Sequence, residues 1–280
     1  MEGQKILGWQ YYKHAMIPTT APHEDPDLTP VVSGEIWKEN KPLLVRWTTD
    51  WDCGYDTGWW YVIREGPFDL SELSASSRRN IRKALRNCRV EKIEPSEWVD
   101  DLWRVFNEAI VRYENYEMRF DKAGFIKEWI HSGKDFWAGF DNTGRMIGFV
   151  VFELRDEWVD YQVAKYSAQY LKLRVSDAIN AMALEYYLNE CGKKYVSDGE
   201  RSILHKTNVQ TYLMEHFGYR RAYCRLHVQY KKALGVVIKT LYPIRKTLKR
   251  LDGIQKVHKL NSLLMMEEIV RLDMGSMDET

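Results

Sequence analysis

Cysteine is scarce and spaced too widely for paired chemistry: Cys53, Cys88, Cys191 and Cys224 lie 35, 103 and 33 residues apart. With no CxxC pair, neither a zinc site nor a dithiol redox motif is expected. The seven histidines (His14, His23, His131, His205, His216, His227 and His258) never fall at HxxxH or HExxH spacing, so no metal is expected. No GxSxG elbow and no GxxxxGKS/T loop occurs. No run approaches the ~20 apolar residues that span a bilayer. The first twenty residues hold no continuous apolar stretch of the signal-peptide kind. No repeat of fixed period and no low-complexity segment is present. Neither sign of charge dominates, with 41 basic against 40 acidic side chains and a formal charge of +1. These absences lead to the expectation of a reduced, cytoplasmic protein without a cofactor metal.

What is present is material for a core. The 280 residues are 45% hydrophobic and 13% aromatic, enough to offset the ordering entropy of one large domain or two small ones. Six of the eleven tryptophans precede residue 61, and their expected role is strand packing rather than sugar stacking. Residues 1–30, with Pro18, Pro22, Pro26 and Pro30, read as irregular. Strands are expected over 31–38, 42–50 and 58–65, then 90–95, 136–140, 145–154, 158–167, 194–200 and 221–231. Leu102, Phe106, Ala109, Ile110 and Tyr113 mark a helix, Asp121 caps another, and Asp141–Gly144 is a hairpin turn. Ser176 is expected to cap a long helix with Ile179, Met182 and Tyr186 inward. A further helix over 204–217 stops at Gly218 with Leu213 and Phe217 buried.

The balanced net charge hides two basic blocks. After the hydroxyls of Ser74, Ser76 and Ser77, a helix carries Ile81, Ala84, Leu85 and Cys88 on one arc. Arg78, Arg79, Arg82, Lys83 and Arg86 occupy the other. Residues 231–259 hold nine Lys or Arg and one acid, Asp252, on a helix broken at Pro243. Two readings stand: solvated faces, or surfaces for phosphate on nucleotide, tRNA or anionic lipid. On the second, both cationic arcs face outward and meet one partner.

From residue 90 the order is strand, two helices, three strands, helix, strand, helix, strand. That order resembles the GNAT acyltransferase fold. Leu213-Met214-Glu215-His216-Phe217-Gly218-Tyr219 is similar to the phrase that often ends the last GNAT helix. Arg78-Arg79-Asn80-Ile81-Arg82-Lys83-Ala84 resembles the R-x-x-I-R-x-A opening of Fem-type aminoacyl transferases and of related proteins of bacterial polysaccharide clusters. The resemblance spans roughly residues 60–232. It implies an α+β layered fold: a mixed, mostly antiparallel sheet with helices on both faces. It would be extended by a β-rich segment over 1–75 and by basic amphipathic helices over 233–280, flanking a transferase domain over 76–232. Two departures stand out. The stretch Gln169–Ser176, where acyl-CoA enzymes carry a glycine-rich loop, has no glycine, as in Fem-type enzymes. The position of the usual tyrosine acid is held by Met214, with Tyr212 nearby.

The resemblance implies an N-acyltransferase, in which an amine on a sugar, amino acid or lipid-linked glycan attacks an activated acyl group. Acyl-CoA is the first expectation for the donor and aminoacyl-tRNA the alternative. A binding module that has lost its chemistry is a third reading. Lys172, Arg174 and the Ser176 helix start are candidates for the donor phosphate, with Asn208. Arg78, Arg79 and Arg82 are candidates for substrate. Ser197-Asp198-Gly199-Glu200-Arg201 closes an inner strand, so Asp198 or Glu200 is a candidate proton acceptor, with Tyr212 beside them. The competing reading of that segment is an Asx-type turn with a salt bridge to Arg201. Expected partners are a small or lipid-linked amine, tRNA, and the inner membrane face through the basic helices.

Overall fold

The structure is a computed structural model that describes residues 6–38, 41–110, 121–203 and 208–275. Tyr113, His205, the start of the helix expected over 204–217, and Asp278–Thr280 lie outside the described residues. In chain order the strands are β1 (Trp9–Tyr12), β2 (Ala15–Pro18), β3 (Leu44–Thr49), β4 (Trp59–Glu65), β5 (Arg89–Ile93), β6 (Asp135–Phe140), β7 (Met146–Leu154), β8 (Trp158–Tyr166), β9 (Tyr195–Glu200) and β10 (Arg220–Tyr230). The α-helices are α1 (Thr29–Val32), α2 (Ala75–Asn87), α3 (Val99–Ile110), α4 (Lys122–Phe125), α5 (Val175–Leu184), α6 (Val209–Phe217), α7 (Lys232–Leu241), α8 (Arg245–Lys249) and α9 (Gln255–Gly275). They form two compact units: residues 1–61, 200–207 and 221–280, and residues 62–199 and 208–220.

The first unit carries strands in the order β1-β2-β3-β10. β1 and β2 form an antiparallel hairpin inside the segment expected to be irregular. Its turn residues, Lys13 and His14, have φ of 47° and 69°. No Asn-Gly or Asp-Gly pair announces that turn. The strand expected over 31–38 is helical instead: α1 is followed by a 3₁₀ turn over Glu35–Trp37. Asp27 Oδ1 accepts from the Thr29 backbone at 2.9 Å, and Pro30 sits in the first turn, where its missing N–H costs nothing. Trp9, Met16, Val31, Ile36 and Val45 then share one core.

The second unit orders its strands β9-β8-β7-β6-β5, antiparallel except for the parallel β8–β9 pair. Helices cover both faces. Leu102, Phe106 and Phe125 pack with Phe136, Phe140, Phe149 and Val151 on one. On the other, α5 lies so close that a Cβ at Gly139 would stand 2.3 Å from Val175 Cγ2. This is the α+β, mostly antiparallel architecture that the element order implies. The helical phase of α5 differs from expectation in two places. Arg174, in the left-handed region at φ 62°, holds the cap position, so Ser176 lies inside the first turn. A π-helical turn over Glu185–Glu190 advances the face, which buries Tyr187 and leaves Tyr186 half-buried. Met182 is exposed, whereas Leu213 and Phe217 are fully buried as expected.

Candidate active site

The parallel strands of the second unit supply the site. β8 and β9 pair through Trp158–Tyr195, Val159–Val196 and Asp160–Ser197, and among the described residues their register ends there. β8 continues to Tyr166 and β9 past Asp198, so the two strands part. Two tyrosines stand on the diverging part of β8. In β8 an extra residue, Gln162, separates the pairs Phe152–Tyr161 and Val151–Val163. This bulge reverses the alternation of side chains, so Tyr161 and Tyr166 share a face despite their odd spacing. Their hydroxyls lie 3.4 Å apart. Gly148 makes the room: a Cβ there would stand 2.6 Å from Tyr166 Cδ1.

Asp198 sits where the strands diverge. Gly199 follows with φ 79°, and its N–H donates to Ser197 Oγ at 2.9 Å, which turns the chain immediately after the carboxylate. Burial pushes the Asp198 carboxyl up to about 7, against a hydrogen bond from Gln210 that favours the charged form. Burial and then the charge of Asp198 oppose ionisation of Tyr219. The Tyr219 hydroxyl is buried with no hydrogen-bond partner among the described residues. A neutral donor without a partner beside a near-neutral carboxylate is a place for a water or a substrate group.

A second cluster lies at the start of α5 in the same unit. Tyr212 of α6 donates to Asp177 Oδ1, and Arg174 Nη1 stands 3.3 Å from Asp177 Oδ2. Tyr212 is held neutral by burial and by the Asp177 charge, while the Ser176 side chain works in the other direction. Ser77, Asn80 and Ile81 of α2 line a small adjoining crevice of ≈ 10 Å³ with Arg174, Asp177, His216 and Phe217. Ser77 Oγ and His216 Nδ1 are 3.3 Å apart across it.

The candidates from sequence divide accordingly. Arg174, Ser176 and Tyr212 come together. Asn208 precedes α6, where its carbonyl accepts from the Tyr212 backbone at 2.8 Å and its side chain makes no cap bond. Lys172 is exposed in the 3₁₀ turn Ala168–Leu173. Arg78 is committed to the backbone, donating to the carbonyls of Ser71 at 3.0 Å and Leu73 at 2.7 Å. Arg79 and Arg82 remain exposed on α2. Glu200 belongs to the other compact unit. There it pairs with Arg46 and accepts from the Tyr61 hydroxyl at 3.1 Å, so its oxygens are occupied. The Arg201 guanidinium donates to the Gly58 carbonyl and stacks 4.2 Å from the Trp60 ring centroid. Sequence reasoning missed Asp177, Tyr161, Tyr166 and Tyr219. Asp177 carried a signal, an acid in a helix first turn. Tyr161 and Tyr166 carried none, because a bulge sets their common face. No group of three or more potential metal ligands gathers among the described residues.

No family model matches the chain, and no curated protein matches it by sequence. Solved structures do match. L-PGS from Bacillus licheniformis superposes with a TM-score of 0.51 at 14% identity, over 83% of each chain. The C-terminal domain of a putative lysylphosphatidylglycerol synthetase from Agrobacterium fabrum gives 0.53 at 13% identity, over 83% of this chain and 84% of that one. FemX gives 0.53 at 10% identity, over 69% and 73%. The fold is GNAT-like, of the Fem type. Within this GNAT-like fold the parted β8–β9 pair, Asp198 and the Asp177–Tyr212 bridge stand in one compact unit.

Proposed function

We propose that this protein transfers an acyl group to an amine, with Asp198 as the base. The observation that carries the reading is the place of the Asp198 carboxyl, half-buried at the divergence of two parallel strands, where desolvation pushes it up to about 7. A base with that pKa is half ionised at neutral pH and can accept the proton that an attacking amine must lose. The amine nitrogen bonds to the acyl carbonyl carbon, and its proton passes to Asp198. The tetrahedral intermediate then expels the donor's oxygen or sulfur, which leaves with a proton returned from the Asp198 carboxyl. The buried Tyr219 hydroxyl is a neutral donor for the substrate's polar group.

For the donor, the first turn of α5 favours an aminoacyl ester on RNA over acyl-CoA. Buried Asp177 occupies that turn and Arg174 is paired with it. A second anion, such as a pyrophosphate, would meet a carboxylate there rather than open backbone N–H groups. The exposed cations Arg79, Arg82, Lys83 and Arg86 offer RNA phosphates a separate path. The likeness to FemX and L-PGS supports the same choice, as does the glycine-free stretch before α5.

The test follows consumption of two donors, tRNA charged with radiolabelled amino acids and acetyl-CoA, over a panel of glucosamine, lysine and an ethanolamine-headed lipid. The account expects amine-dependent deacylation of the charged tRNA, slowed by about 100-fold or more in Asp198→Asn. Consumption of acetyl-CoA alone overturns the donor assignment. No use of either donor, with Asp198→Asn indistinguishable from wild type, favours a binding module without chemistry.

A further inference from the structure

The basic segment after β10 is not a plain solvated helix. Between Lys231 and Leu251 it carries seven cations, Lys231, Lys232, Lys239, Arg245, Lys246, Lys249 and Arg250, and no acid. An amphipathic helix of this composition buries its apolar arc and turns its charges outward. Here only part of that arc is buried. Ile238 is fully inside, and Leu234 and Leu241 are half-buried beside it. Val236, Val237 and Ile244 point out, 66%, 45% and 50% exposed, and Leu251 and Ile254 beyond them are 49% and 56% exposed. On α7 the outward positions Ala233, Val236, Val237 and Thr240 follow at helical spacing, and Lys232 and Lys239 run along one edge of that stripe.

From this juxtaposition we infer that the outward face of α7 and the turns after it dock on a membrane surface containing anionic lipid. Aliphatic side chains flanked by lysines suit the headgroup boundary, where the chains bury and the ammonium groups stay with phosphate. Attraction to anionic lipid accounts for the missing acids. Nucleic acid satisfies the charge but not the valines, isoleucines and leucines, which offer no ring for a base. Tyr242, the segment's single aromatic residue, is flanked by Arg245 and Arg271 at 4.1 and 4.0 Å from its ring centroid. Arg245 is in turn tied to Glu268 at 2.8 Å, so the segment is anchored to α9 while its other side stays bare. Docking is peripheral, since among the described residues no helix is long and apolar enough to cross a membrane. The inference stands on the first compact unit alone and holds whether or not the transferase reading does.

Co-sedimentation of the full chain with vesicles decides it. The probes are phosphatidylcholine vesicles with and without added phosphatidylglycerol, across a salt series. The account expects binding that requires phosphatidylglycerol and weakens with salt. It expects a loss of about tenfold or more in both Val236→Asp/Val237→Asp and Lys232→Glu/Lys239→Glu. Ile244→Asp, outside α7, should weaken binding in the same direction and serves if the double variants do not fold. No binding at low salt overturns the inference. So does vesicle binding that ignores the apolar substitutions, or tRNA binding that depends on Val236 and Val237. A concentration-dependent dimer abolished by Val236→Asp/Val237→Asp also overturns it, because a second copy would then be the occupant.

Discussion

The Tyr212 hydroxyl donates its hydrogen bond to Asp177, tying α6 to the first turn of α5. Asp177 is buried, and its other oxygen faces Arg174 at 3.3 Å. Tyr212 therefore acts as an anchor for a buried carboxylate.

Tyr212→Phe should destabilise the fold by about 1–3 kcal/mol, because it strips a donor from a buried charged acceptor while keeping the ring. Urea unfolding of the two proteins measures the difference. A change below about 0.5 kcal/mol would mean that water replaces the hydroxyl freely.

The approach of α5 to the sheet gives a coupled pair. Gly139→Ala places a methyl 2.3 Å from Val175 Cγ2 and should cost about 1–3 kcal/mol. In a Val175→Ala background the same change should cost much less, since the clashing carbon is gone. Additive costs in the double-mutant cycle would contradict the close contact.

These two contacts mark what sequence could and could not reveal. The pairing of 145–154 with 158–167 was legible, because each segment alternates or runs apolar between clear turns. Asp121 capping and the stop at Gly218 were legible from residue type alone. The β1–β2 hairpin was not, since Lys13 and His14 adopt positive φ without glycine. Residues 31–38 misled because β-branched composition outweighed Asp27 and Pro30, which start a helix. At the site, Asp198 and Tyr212 were visible as chemistry-bearing residues at element ends. The Tyr161–Tyr166 pair was hidden by a bulge that no local composition announces.

The arginines of α2 should separate by role. Arg78→Ala removes two bonds to backbone carbonyls and should cost about 1–3 kcal/mol of stability. Arg79→Ala/Arg82→Ala, both exposed, should change stability by no more than about 0.5 kcal/mol per residue and weaken tRNA binding instead. Thermal melts and filter binding read the two effects. The assignment fails if Arg78→Ala melts like wild type.

Two desolvated groups, the half-buried Asp198 and the buried Lys165, give opposite pH slopes. Desolvation pushes the Asp198 carboxyl up to about 7 in the folded state, above its ~3.9 unfolded, so the folded state is expected to bind the extra proton between those values. Its contribution to stability therefore falls as pH rises from ~3.9 to about 7. Burial lowers Lys165 to about 8, below its unfolded ~10.4, so its contribution rises with pH across that window. Unfolding free energy against pH should lose the first slope in Asp198→Asn and the second in Lys165→Met. Parallel curves for wild type and variants would contradict both assignments.

The central claim is that burial holds Asp198 poised as a base, and its carboxyl resonance reports that directly. Carbon-13 titration of the aspartate carboxyls from about pH 3 to about pH 10, assigned by the signal missing in Asp198→Asn, needs no substrate. The account predicts a midpoint near the value of about 7. A midpoint near ~3.9, the ordinary aspartate value, would contradict it.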